Sequence, residues 1–522
     1  TGGASSWNNN EVNADAIDRF AFTSKGFELV DEQEQADMGE SDTLADFLKY
    51  CNKNYPAENR MLLFWDHGGG SVGGVTYDEN YDYDSLTLPE MSSAMSEAGF
   101  GGDNKLDMIG FDTCLMATLD NAEMCANYAD YMVASEESEP SCGWNYQSWV
   151  QSLADDTGMG PVQIGKNICD SYIEGCADEA VDDEATLSLT DLSKIAPLSE
   201  AFDNMGTEIF TEASQDTAVC GDFARSAVNA ENYGGNNDED GYANMVDLGD
   251  LVSNSEKILP ETSETVLNAL KDAVIYSVHG DYKENSNGLS VYYPYNGDTD
   301  ELASYIDMES GSEENDYQCF LQYSLGMELP SSAGETSGEV TAFNADMPIT
   351  IDDDGYITLS IDPSELGNVK DVYFMLAYYS EEDDMMICLG TDNDLDADWD
   401  NGVFKDNFRG VWGALDGNLC YMEITYEGDD YNLYSVPVML NGEERVMRVV
   451  YDYNTSEYTI LGTRKEIDGD NGMADKNLRK LQNGDEVTPI LYAASISGDD
   501  DFVEYSADTV TVVFAVLVNP AL

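Results

Sequence analysis

Two short apolar runs constrain the fold of this chain more than anything else in it. Residues 61–65 (MLLFW) stop at Asp66-His67-Gly68-Gly69-Gly70. Residues 106–111 (LDMIGF) stop at Asp112-Thr113-Cys114. Each run is long enough for one strand and too short for a helix of ordinary length. Helical spacing surrounds them, over 43–55, 88–98 and 115–128. Strands separated by helices fold as a mostly parallel sheet covered on both faces. Further strands are expected at 131–134, 185–189, 273–278 and 289–293. Helices are expected at 161–177, 191–214, 220–231, 247–257 and 261–272.

The texture changes at Pro330. Residues 330–338 (PSSAGETSG) have the composition of a linker. Beyond them, strands separated by turns are expected at 357–361, 372–379, 420–426, 435–440, 446–453 and 510–518. That pattern is an all-β domain, sandwich-like. The expected organisation is therefore an α/β domain over 1–329, a linker over 330–340 and a β domain over 341–522.

Charge excludes some partners. Lys and Arg number 22 against 104 Asp and Glu, a net charge of −82. A phosphate backbone requires a basic face, so nucleic acid is excluded as a main partner, and docking on anionic lipid, which needs basic clusters, is disfavoured. No run of about 18 apolar residues predicts a membrane span. Hydrophobic residues make up 42% of the chain, which excludes a disordered acidic tail. The ten cysteines form no CxxC pair, and none has zinc-site spacing with a histidine.

In a parallel sheet both apolar runs end on one edge, where ligands bind. Neighbouring strands would bring His67 and Cys114 together there, as a base beside a nucleophile. A helix starting at 115 would place Cys114 at its N-terminus, where the thiolate is stabilised. The Gly68 and Cys114 N–H groups are the candidate oxyanion donors. A lone cysteine at a strand end is usually a buried thiol; the joint pattern with one of only two histidines raises this one above that background. Gly69-Gly70-Ser71-Val72-Gly73 matches the G-x-S-x-G motif of serine hydrolases. The residues after it read as a loop where an elbow requires a helix.

LLFWDHGGG (62–70), GFDTCLMATLDNAEMCANYADYMVASEESEP (110–140), YANMVDLGDL (242–251) and SNGLSVYYPY (286–295) resemble the clostripain family of cysteine peptidases. The likeness covers about residues 1–325. It implies a caspase-like α/β/α sandwich and an endopeptidase with Cys114 as nucleophile and His67 as its partner, cleaving after Arg or Lys. Asp112 would be the acid of the pocket for that basic side chain. Cys142, in Ser141-Cys142-Gly143-Trp144, lies in a substrate-binding segment where some relatives carry a second aspartate. The sheet is expected to lack the strand that in relatives precedes the segment at Thr1. Between Met61 and Asn104 there is no Lys or Arg, so self-processing at a basic residue of that segment is excluded.

The expected chemistry requires no cofactor. Ca2+ is a candidate partner through the alternating Asp394, Asp396 and Asp398, read as a loop; solvated acidic turns are the blander reading of those carboxylates. The resemblance implies protein or peptide substrates and a bacterial protein, secreted or at the cell surface. The alternative function is a weak or inactive relative whose β domain binds a surface, glycan or protein.

Overall fold

The computed structural model describes residues 2–512 except 8–11, 309–314, 335, 337, 339, 341–346, 381–384, 394, 409, 429, 468–471, 476, 477, 496–502 and 508. A five-stranded sheet organises the first region. Its order is Val274–His279, Thr186–Asp191, Ala129–Ala134, Leu106–Asp112, Met61–Trp65. The last three strands are parallel to one another. The first two are antiparallel to their neighbours. Thr186–Asp191 alone runs against the other four strands, so the sheet is mostly parallel in direction with one reversed strand. The chain after Ala134 runs out along helices Tyr146–Asp155 and Pro161–Asp178 and re-enters at the rim it left.

Side chains along these strands alternate between two cores, as the pleat requires. Ile109, Phe111, Met132 and Ala134 join one core with helices Ser41–Asn54, Leu88–Glu97 and Ile195–Gln215. Met108, Val133, Leu187 and Leu189 join the other with helices Tyr146–Asp155 and Pro161–Asp178. Helices therefore cover both faces, the three-layer arrangement that the resemblance implies. Ahead of the sheet, Ala16–Thr23 and Gly26–Glu34 form a separate hairpin that sequence reading missed.

The later region is all-β, with an architecture that departs from a plain sandwich. Strand Tyr431–Leu440 pairs with Met422–Glu427 through its first half and with Glu486–Ser495 through its last residues. Both partners also pair with Met385–Asp392, so four strands close into a ring. Ile357–Ser360 belongs to a separate four-stranded sheet. The calcium candidates fall here. Asp394 lies outside the described residues. Asp396 and Asp398 belong to strand Leu395–Asp398, paired with Val403–Asp406, rather than to a loop. Asp398 accepts hydrogen bonds from Asn401.

The two regions share buried surface. Ile467 and Ala474, from the β-rich region, belong to the same apolar core as Cys114 and Met116. Asp240 is wholly buried between Arg448 (2.9 Å) and Arg464 (3.1 Å) and also accepts from Ser435. Burial alone would raise its pKa. The two guanidiniums and the Ser435 hydroxyl outweigh burial and hold it well below the carboxylate range. Arg448 also reaches Glu184 (3.1 Å), and Lys480 pairs with Asp183 (3.0 Å).

Candidate active site

Strand register brings the two motifs together. Trp65 is the register partner of Asp112 in the parallel pair. His67 and Cys114 each lie two residues further on, at the same rim. There Gly68 meets the Cys114 backbone so closely that a Cβ would sit 2.1 Å from the Cys114 carbonyl oxygen. Only glycine permits that approach.

Cys114 is 0% exposed, and its Sγ accepts the Glu139 N–H at 3.2 Å. The helix expected at once after it begins later, at Leu119, so the expected help from a helix N-terminus is missing. The reason is local. Leu115 turns through the left-handed region (φ +64°). The Leu115 and Ala117 N–H groups donate to the Glu137 and Ser135 carbonyls, and the Ala117 carbonyl accepts the Ser290 N–H. With its backbone engaged sideways, this segment cannot coil. Thr118 then caps the helix, accepting the Asn121 N–H.

Asp112 is fully buried beside Cys114 in sequence. The Trp144 N–H points at its Oδ2 (3.4 Å), and Gly143, at φ +57°, passes so close that a Cβ would lie 3.0 Å from Oδ1. The Tyr146 phenol is pushed up in pKa, first by burial and then by Asp112. Glu139 joins the same wall, its Oε1 accepting the Trp144 indole N–H at 2.9 Å. Sequence reading missed Glu139. The acids of Ser135-Glu136-Glu137-Ser138-Glu139, placed straight after an apolar strand, were its one signal. Cys142 directs its sulfur at Cys176, 3.5 Å away.

His67 is covered. Its Nδ1 lies 3.0 Å from the Ala474 carbonyl oxygen. A carbonyl only accepts, so Nδ1 carries the proton in this contact. Ser71, the rival nucleophile, is 0% exposed, and its hydroxyl donates to Asp120 at 2.5 Å. No group of three or more His, Cys, Asp or Glu positioned for a metal ion occurs among the described residues.

Comparison with known proteins agrees with the motifs. A profile described as the Clostripain family matches residues 14–324. Clostripain of Hathewaya histolytica is 26% identical over 321 residues, 51% of this chain and 58% of that protein. The chain thus spans little more than half the length of that relative. Among solved structures, a secreted C11 cysteine protease from Bacteroides thetaiotaomicron in complex with an irreversible peptide inhibitor is similar at 17% identity, covering 56% of this chain and 85% of its own, with a TM-score of 0.41. An inactive zymogen C11 protease from Parabacteroides distasonis is similar at 18% identity, covering 56% and 82%, with a TM-score of 0.43. With a match across more than half of its residues, the chain belongs to the clostripain family.

Proposed function

We propose that this chain is a cysteine endopeptidase that cleaves after Arg or Lys. The observation that carries the proposal is the shared rim, with His67 and Cys114 each two residues past a register pair of parallel strands. Cys114 Sγ gives its proton to His67 and attacks the scissile carbonyl carbon. The oxyanion takes hydrogen bonds from the Gly68 and Cys114 N–H groups. As the C–N bond breaks, His67 passes its proton to the leaving amine. Water then loses a proton to His67 and attacks the thioester, releasing the acid and restoring the thiol. Asp112 receives the cationic P1 side chain, and the −82 charge draws basic peptides at low salt. The family resemblance supports reading the enzyme as one that acts outside the cell.

The test is hydrolysis of Arg-, Lys- and neutral-P1 peptides by the chain and by Cys114→Ala. The proposal expects cleavage after the basic residues and its loss in the variant. Cleavage that survives Cys114→Ala overturns it.

A second reading draws on the complete burial of Cys114. In it the chain is an inactive relative, and its β-rich region binds a surface, glycan or protein. It expects Cys114 to stay unreactive however the chain is treated.

A further inference from the structure

Cys114 is 0% exposed, and the β-rich region reaches the same rim, where its Ala474 carbonyl meets His67. We infer that this region is an intramolecular inhibitor of the peptidase region, with residues 472–475 lying where a substrate chain would lie. This inference rests on the cysteine-peptidase reading of the site.

The contacts are those of a bound peptide. Ala474 bonds twice to the start of the three-glycine segment, at His67 and Gly68. Its N–H donates to the Gly68 carbonyl at 3.3 Å, and its carbonyl accepts from His67 Nδ1 at 3.0 Å. Gly472 continues along the same surface, its carbonyl oxygen 2.8 Å from where a Cβ on Gly69 would stand. The Ala474 side chain is 0% exposed and belongs to the core that contains Cys114. On the opposite wall, Arg464, Asp475 and Leu478 close a small cleft lined by Glu137, Ser138 and Glu139, the residue that faces the thiol.

The strap is built to stay in place. Thr463 and Arg479 bridge within the β-rich region, each N–H donating to the other's carbonyl at 2.8 Å. Both ends of the excursion are thereby tied to one body while its middle rests on the other. Asp475 accepts the Lys465 N–H at 2.9 Å, drawing the two arms together. The Ile467 N–H donates to the Asp240 carbonyl at 2.8 Å, and its side chain packs beside Leu115, the residue after Cys114. Arg464 and Arg448 hold the buried Asp240 below it.

Composition says how the strap is released. Residues 464–480 hold Arg464, Lys465, Lys476, Arg479 and Lys480, five of the 22 basic residues in a chain of net charge −82. The segment 61–104 holds none. The inhibitor is thus the part of the chain richest in the residues that a peptidase specific for Arg or Lys cuts. Hydrolysis of a peptide bond within 464–480, consuming one water, removes the tie at one end and uncovers His67 and Cys114.

The experiment follows iodoacetamide labelling of Cys114 by peptide mapping, together with peptide hydrolysis. It uses the intact chain, Ala474→Trp, and the chain after limited trypsin treatment with cut sites mapped by mass spectrometry. An indole cannot occupy the space that encloses the Ala474 methyl, so the variant expels the strap. Labelling of Cys114 rises about a hundredfold in Ala474→Trp and in chains cut within 464–480, and hydrolysis rises with it. Should Ala474→Trp fail to fold, the trypsin arm decides. Labelling of the intact chain as fast as the cut chain overturns the inference, as does a cut within 464–480 that leaves labelling unchanged. Labelling that rises without hydrolysis keeps the strap and removes the peptidase reading. Full hydrolysis by the intact, uncut chain removes the strap and keeps the peptidase.

Discussion

Gly68 and Cys114 touch backbone to backbone: the glycine's missing Cβ would stand 2.1 Å from the cysteine's carbonyl oxygen and 3.2 Å from its nitrogen. Both atoms are main-chain, so neither can swing away. Gly68→Ala therefore separates the two strand ends. The expected loss of stability is about 1–3 kcal/mol, the usual penalty for overpacking, and peptide hydrolysis by the uncovered form falls with it. Urea unfolding checks the first. An unchanged midpoint would mean that the rim yields without resistance.

Asp112 supplies charge to the proposed P1 pocket while the Trp144 N–H and Gly143 hold it in place. Asp112→Asn keeps the shape and removes the charge. A charge-assisted hydrogen bond contributes about 1.5–3 kcal/mol, so kcat/KM for Arg-P1 peptides should fall roughly 10- to 150-fold. Neutral-P1 peptides should change little. A parallel loss on both substrates would assign Asp112 to structure alone.

Cys142 and Cys176 lie 3.5 Å apart, sulfur to sulfur, beside that pocket. The hydrogen bond from Cys176 lowers the pKa of the Cys142 thiol and raises that of Cys176, so Cys142 is the attacking thiolate. With glutathione disulfide as oxidant, Cys142 displaces one glutathione and Cys176 the other, closing a disulfide as two glutathione thiols leave. Loop closure over this span is worth about 3–4 kcal/mol. The expected result is a cross-linked 142/176 peptide and a raised melting temperature, both absent in Cys142→Ser. Oxidation that produces no such peptide contradicts the prediction.

Across the interface between the regions, Glu423 is pushed up to about 8, first by burial and then by Glu239. Glu239 is pushed up to about 7 by burial, against the Tyr492 hydroxyl that donates to it. Both folded-state values exceed those of the unfolded chain, so between about pH 4.5 and 8 the folded protein binds more protons. Stability then declines as pH rises through that window. The melting temperature should be lower at pH 8.5 than at pH 6, and Glu423→Gln should flatten the slope. A melting temperature that climbs over this range would refute it.

What the sequence disclosed follows from the range of the interactions involved. The strand at 61–65 and the helices near 43–55, 88–98 and 161–177 were legible because apolar periodicity is local. That the strands leading to His67 and Cys114 end at one rim was legible because two neighbouring parallel strands must end on one edge. The late start of helix Leu119–Ala126 was hidden, since it depends on carbonyls of Ser135 and Glu137 far along the chain. Ala474 was hidden for the same reason. It lies 407 residues from His67, and nothing in Gly472-Met473-Ala474-Asp475 marks it as a partner. The ring in the β-rich region escaped because it depends on one strand dividing its pairing between two others.

The antiparallel neighbour at the middle of the sheet has an effect beyond topology. Because Thr186–Asp191 runs against Ala129–Ala134, its first residue lands where the other strand finishes. The Thr186 hydroxyl takes the Glu136 and Glu137 N–H groups at 3.2 and 3.1 Å, fixing the segment that leads to Glu139. One strand's beginning thus buttresses another's exit. Changes at Thr186, though remote from either motif, should be felt at the thiol through that hydroxyl.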